Sequence, residues 1–209
     1  MSWARRFHDE FQRTSSTTVG GPWVEQSGDW EIVSSEYLKC LTDSGTTPGV
    51  AAITVPCPTT ERMVAYLWAS IARGPCRHFV RWEDADNNVF VSGTNAFTAT
   101  SSTIYLYVMD GGTLTEVVAV PSVSWTTTPV VVIEDDGDRI VCRLNGVTVI
   151  DESAAGFPSG GYVGVGGSTQ SGFGIPVTLT TALLDYFTLF TPGGGLHLGS
   201  LRIGAGNGL

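Results

Sequence analysis

Apolar and polar positions along this chain alternate in short runs far more often than they recur at helical spacing. Ile104-Tyr105-Leu106-Tyr107-Val108 sets aliphatic side chains on one face and two phenol rings on the other, ahead of an Asp110-Gly111-Gly112 turn. Further on, Pro129-Val130-Val131-Val132-Ile133-Glu134 leads into Asp135-Asp136-Gly137-Asp138, and Arg139-Ile140-Val141-Cys142-Arg143-Leu144 leaves it. Asn145-Gly146 follows at once, before Val147-Thr148-Val149-Ile150. Asp-Gly and Asn-Gly tolerate positive φ and are strong hairpin signals, so residues 130–150 are predicted to form a three-stranded meander. In its middle strand Ile140, Cys142 and Leu144 point one way while Arg139, Val141 and Arg143 point the other, as a half-buried strand requires. The one stretch that could be helical, within 59–73, carries Met63, Ala65, Leu67 and Ala69 without a breaker. The β pattern around it favours a long buried strand, because tertiary context overrides propensity.

The chain has 209 residues, of which 42% are hydrophobic and only 15% charged, with 26 glycines. That is the composition of a folded all-β protein, at a length compatible with one domain. Eleven Lys+Arg against 20 Asp+Glu give a net charge of −9, which disfavours binding to a phosphate backbone and so argues against nucleic acid as a partner. No uncharged apolar run approaches the roughly 20 residues that span a bilayer. Nor does the segment after Met1 contain the apolar stretch of a signal peptide, so a soluble protein made without export is expected. Lys39 is the only lysine among the eleven basic residues, an arginine bias that fits a GC-rich source. Cys40, Cys57, Cys76 and Cys142 form no C-x-x-C pair, which leaves free thiols or a Cys57–Cys76 disulfide as the readings.

The last segment differs in kind. Gly193-Gly194-Gly195 is a flexible joint, and beyond it Leu-His-Leu-Gly-Ser is followed by Leu-Arg-Ile-Gly-Ala. The expected layout is a sandwich over residues 1–192 and a Gly-hinged tail over 193–209. In that tail Leu196, Leu198, Leu201 and Ile203 are candidates for an assembly arm, against the alternative of a frayed terminus.

Three stretches, in order over roughly residues 7–190, resemble the concanavalin A-like lectin/glucanase superfamily, particularly its laminin-G-like and 3-keto-disaccharide-hydrolase-like branches. The first runs from Phe7-His8-Asp9-Glu10-Phe11 through Gly20-Gly21-Pro22-Trp23 to Gly28-Asp29-Trp30-Glu31-Ile32. The second is Phe79-Val80-Arg81-Trp82-Glu83-Asp84-Ala85-Asp86-Asn87-Asn88. The third joins Leu144-Asn145-Gly146, Gly160-Gly161-Tyr162-Val163-Gly164 and Leu184-Asp185-Tyr186-Phe187. The resemblance implies a jelly-roll sandwich of two antiparallel sheets, one of them concave. Such a fold hosts lectins, glycosidases and virion proteins, so function has to be argued from sites.

Hydrolysis of a glycoside needs two flanking carboxylates. The nearest string, Glu134-Asp135-Asp136-Gly137-Asp138, spans a hairpin turn, where acids ordinarily act as solvated turn formers, so no catalytic set is expected. The histidines, His8, His78 and His197, are scattered and suggest neither a metal cluster nor a triad. Sugar recognition by aromatic faces and directed hydrogen bonds is better supported, with Arg81, Trp82, Asp84, Asn88, Tyr105 and Tyr107 as candidates, unless these aromatics simply close the sandwich. The resemblance further implies a structural Ca2+ between the first and last strands, with Asp185 and Asp9 as ligands. The alternative for Asp185 is an edge cap or an arginine partner. The leading expectation is a non-enzymatic virion structural or adhesion module, a phage tail, fibre or decoration protein. Its partners would be other virion subunits, in a homo-oligomer, with host glycan as a ligand. A stand-alone carbohydrate-binding protein or a glycoside hydrolase are the alternatives.

Overall fold

The computed structural model describes residues 3–12, 14–28, 30–33, 37–40, 51–68, 76–93, 101–126, 129–167 and 183–192. The first strands are β1 (Trp3–Asp9), β2 (Val24–Ser27), β3 (Trp30–Val33), β4 (Tyr37–Cys40), β5 (Ala51–Pro56), β6 (Arg62–Trp68), β7 (Cys76–Trp82) and β8 (Asn88–Gly93). They are followed by β9 (Ser101–Asp110), β10 (Thr113–Ser124), β11 (Val130–Asp135), β12 (Arg139–Leu144), β13 (Val147–Ser153), β14 (Tyr162–Gly167) and β15 (Leu183–Pro192). No helix occurs among the described residues, so none there is long and apolar enough to cross a membrane.

The strands form two antiparallel sheets. One has the order β13-β12-β11-β6-β15-β4-β3, with β1 also paired to β15; the other has the order β10-β9-β8-β7-β14-β5-β2. Neighbours far apart in sequence, such as β7 with β14 and β6 with β15, make this a jelly-roll sandwich rather than a string of hairpins. The expected meander is β11 to β13, closed at its second turn by Asn145 and Gly146, both at positive φ (49° and 83°). The stretch with helical propensity is β6, held between β11 and β15. Propensity yields there because Val64 and Tyr66 fill the inter-sheet core while Met63 and Ala65 pack with Trp3 and Phe190 on the opposite face.

Between the sheets lie Ile53, Val55, Val89, Val91, Ile104, Leu106, Val131, Ile133, Ile140, Val163 and Val165, all fully or nearly fully buried. At one end Phe7, Phe11, Trp23 and Phe187 pack ring against ring. Asp9 ties that cluster together: the Phe11 backbone N–H donates to Oδ1 and the Trp23 indole N–H to Oδ2, each at 2.8 Å. Tyr66 lies in the middle of the core, its hydroxyl 3.0 Å from the Phe79 carbonyl and 3.1 Å from that of Gly164, and burial holds its phenol well above the usual range. His78 packs edge-on against Tyr66 and donates through Nδ1 to the Val91 carbonyl, so this histidine belongs to the core. Cys57 and Cys142 are buried free thiols, which removes the Cys57–Cys76 disulfide; burial pushes the Cys142 thiol up to about 12.

The acidic turn at 135–138 divides into two roles. Asp136 and Asp138 are exposed, and Asp136 accepts from the backbone N–H groups of Asp138 and Arg139, as a turn former should. Asp135 instead is 0% exposed and holds the sheets together. It accepts two 2.7 Å hydrogen bonds from Arg81 of the opposite sheet and lies 3.6 Å from Arg62 Nε of its own.

Candidate functional site

The outer face of the seven-stranded sheet carries the chemistry. With Val89, Val91, Ile104, Leu106 and Val108 turned to the core, period-two alternation sends Phe90, Ser92, Tyr105, Tyr107 and Met109 outward. Strand register then aligns these residues in three rows across β5, β14, β7, β8, β9 and β10. The first is Ala52, Gly166, Arg77, Ser92, Tyr105 and Ala119. The second is Thr54, Gly164, Phe79, Phe90, Tyr107 and Glu116. The third is Pro56, Tyr162, Trp82, Asn88, Met109 and Leu114.

The middle of this face is a buried aromatic floor of Phe79, Trp82 and Phe90 beside Ala52, with Tyr107 and Tyr162 packed on it. Phe79 meets Trp82 and Phe90 edge to face, with ring centres 4.6 and 5.6 Å away. Tyr105 stacks on Tyr107 at 5.4 Å and 21°, and Tyr107 tilts over Phe90 at 5.3 Å. Both tyrosines are half-buried. Burial, followed by the carboxylate of its cross-strand partner Glu116, raises the Tyr107 phenol above its ordinary value. Gly164 keeps the floor low, because a Cβ there would collide with the Ile53 carbonyl oxygen and sit 2.7 Å from Thr54 Cα.

The six sequence candidates divide. Trp82, Asn88, Tyr105 and Tyr107 share this face. Arg81 does not: the register between β7 and β8 shifts between Phe79 and Arg81, and the extra residue turns Arg81 into the sandwich, where it pairs with Asp135. The same bulge brings Trp82 back out. Asp84 sits in the exposed β7–β8 turn, accepting from the Asp86 N–H and the Asn87 amide. Asn88 donates to the carbonyls of Asp84 and Ala85, so its amide bridges the turn and the face.

Two buried polar atoms on the third row lack a partner among the described residues, Trp82 Nε1 and Asn88 Oδ1. Trp82 and Asn88 are directly paired across β7 and β8, and a water or hydroxyl group that accepts from one and donates to the other satisfies both. Sequence reasoning passed over Arg77, Phe79, Phe90 and Tyr162. The alternation Arg77-x-Phe79 beside Phe90-x-Ser92 was the signal for the first three.

Asp9, the N-terminal calcium candidate, uses an oxygen on each of its two hydrogen bonds; Asp185 lies in β15, and its side chain is outside what the structure describes. Among the described residues no three His, Cys, Asp or Glu side chains converge as metal ligands. Leu196, Leu198, Leu201 and Ile203 of the tail lie outside the described residues.

These two sheets define a concanavalin A-like lectin/glucanase fold, and solved structures of that architecture match the chain. The carbohydrate-binding module CBM66 from Bacillus subtilis is 15% identical, covering 81% of this chain and 92% of its own, with a TM-score of 0.51. An endo-β-1,3-glucanase from Pyrococcus furiosus is 12% identical over 92% of this chain and 96% of its own, at a TM-score of 0.59. The carbohydrate recognition domain of Emp47p is 10% identical over 87% and 93%, at 0.56. At these identities the likeness is one of fold. No protein-family description matches the sequence, and neither does any curated protein.

Proposed function

We propose that the protein is a non-enzymatic carbohydrate-binding module whose ligand lies across the outer face of the seven-stranded sheet, against Tyr105, Tyr107 and Tyr162. The observation that carries this reading is the pair of half-buried tyrosines on the outer face, Tyr105 stacked on Tyr107 and Tyr107 tilted over Phe90, above a buried floor of Phe90, Phe79 and Trp82. Pyranose rings present C–H faces that suit such surfaces, with polar groups at the rim supplying direction. Solved structures of this architecture include a carbohydrate-binding module and a lectin domain, which supports the reading. Binding is favoured over hydrolysis because the three rows contain one carboxylate, Glu116, where glycosidic cleavage needs two.

The setting we propose is a virion, with the module presented on a phage tail, fibre or capsid and the repeat at 196–205 acting as an assembly arm. Its support is the sequence pattern of that repeat. The binding function is tested on a glycan array with the full chain and its Tyr105→Ala and Tyr107→Ala variants. Each variant should lose roughly threefold to tenfold in affinity. Undiminished binding in both would move the site elsewhere, and reducing-sugar release from bound glycans would make the protein a hydrolase. Solution mass with and without residues 193–209 tests the arm, and a monomer in both cases would count against it.

A further inference from the structure

Arg77 is the one arginine on the three rows, and its surroundings differ from those of the buried and paired arginines. Arg62 and Arg81 share Asp135, Arg139 pairs with Asp151, and Arg143 pairs with Glu134. Among the described residues, by contrast, the Arg77 guanidinium has no carboxylate and no hydrogen-bond acceptor. Its Cζ lies 4.5 Å from the centre of the Phe90 ring, and the side chain is half-buried. Burial lowers its pKa to about 10, opposed by the neighbouring Tyr107 phenol. A half-buried cation resting on an aromatic ring keeps its donor edge available to a ligand from solvent.

The register places this cation beside the tyrosines. Arg77 and Tyr105 belong to the same row, two strands apart with Ser92 between them, about 10 Å from backbone to backbone. That separation suits a sugar ring lying against Tyr105 with an exocyclic group reaching β7. A guanidinium prefers a planar anion that it can meet with two parallel hydrogen bonds, and a carboxylate has that shape.

Building on the carbohydrate-binding reading, we infer that the ligand is an acidic polysaccharide, and that Arg77 receives the carboxylate of a uronate unit whose ring packs against Tyr105 and Tyr107. The net charge of −9 opposes this ligand at long range, as it opposes a phosphate backbone. A chain that acidic repels polyanions at long range, so retention of one requires a local cationic contact.

The experiment is a calorimetric titration of the full chain with polygalacturonate and with the same polymer after carboxyl reduction, with dextran sulfate alongside. Arg77→Met and Arg77→Lys are titrated in parallel. The expected result is binding to polygalacturonate that weakens roughly tenfold to a hundredfold on carboxyl reduction, and by a similar factor in Arg77→Met. Arg77→Lys should recover part of the loss, having the charge without the fork. Equal binding of the native and reduced polymers overturns the acidic ligand while leaving the carbohydrate-binding function intact. Dextran sulfate binding as tightly as polygalacturonate overturns the carboxylate assignment. Failure to bind any polysaccharide, neutral on the array or acidic here, overturns the proposed function as well. The native-versus-reduced comparison needs no variant and so does not depend on how Arg77→Met folds.

Discussion

Replacing Asp135 by Asn tests the inter-sheet clamp on which the geometry of the outer face depends. Asp135 is fully buried, accepts from Arg81 Nε and Nη2 at 2.7 Å each, and takes the Gly137 N–H at 3.0 Å. Arg62, 1% exposed, stands 3.6 Å away and otherwise reaches only the carbonyls of Val80, Ser159 and Gly160 at 3.3–3.5 Å. Asparagine keeps the shape and one acceptor but leaves two buried guanidinium groups without a counter-charge. Removing one partner from a buried ion pair costs about 3–5 kcal/mol. For a domain of this size that corresponds to a fall in Tm of roughly 6–20 °C. Urea unfolding should show a lowered midpoint at constant m-value. Asp136→Asn, at an exposed position in the same turn, should stay within about 0.5 kcal/mol. Replacing the whole set, Arg62→Met with Arg81→Met and Asp135→Leu, should recover most of the loss, because apolar groups of similar volume need no partner. A cost below about 1 kcal/mol for Asp135→Asn would refute the argument that these charges depend on Asp135.

His78 is buried and its pKa is lowered from 6.5 to about 4, first by desolvation and against its Val91 hydrogen bond. The neutral form is therefore favoured by folding: its contribution is complete above pH 6.5, falls as pH drops through the window to about 4, and amounts to about 3 kcal/mol. Chemical denaturation at pH 7 and pH 5 should show about 2 kcal/mol of that loss in the wild type and a flatter profile in His78→Phe; identical profiles would contradict it. Gly164→Ala should destabilise by about 1–3 kcal/mol in a thermal melt, since the new Cβ meets the backbone of Ile53 and Thr54. Calcium at Asp9 and Asp185 is tested by chelation. A midpoint that falls with EDTA and recovers with Ca2+ supports it, and an unchanged midpoint counts against it.

Much of the fold was legible in the sequence because alternation and turn chemistry agree there. The strands on either side of Asp135–Asp138 and Asn145-Gly146 are as expected, and so is the two-faced strand carrying Tyr105 and Tyr107. Asp135 and Arg81 were misread for related reasons. Asp135 belongs by sequence to a solvated turn, yet it is the last residue of β11, and its alternation with Ile133 and Val131 points it into the core. Arg81 was grouped with Trp82 as a surface residue, but a bulge shifts the alternation at that point, and a bulge leaves no mark in local composition. Arg77 went unnoticed because its significance lies in neighbours on β8 and β9, which only the strand order brings beside it.

The central claim is that the outer face of the seven-stranded sheet is a glycan-binding surface. Amide chemical-shift mapping during titration with an oligosaccharide bound on the array tests it most directly. The shifts should cluster at Arg77, Phe90, Ser92, Tyr105, Tyr107 and Tyr162, on β7, β8, β9 and β14. Shifts confined to the other sheet, or to the turns at 135–138 and 145–146, would contradict the account.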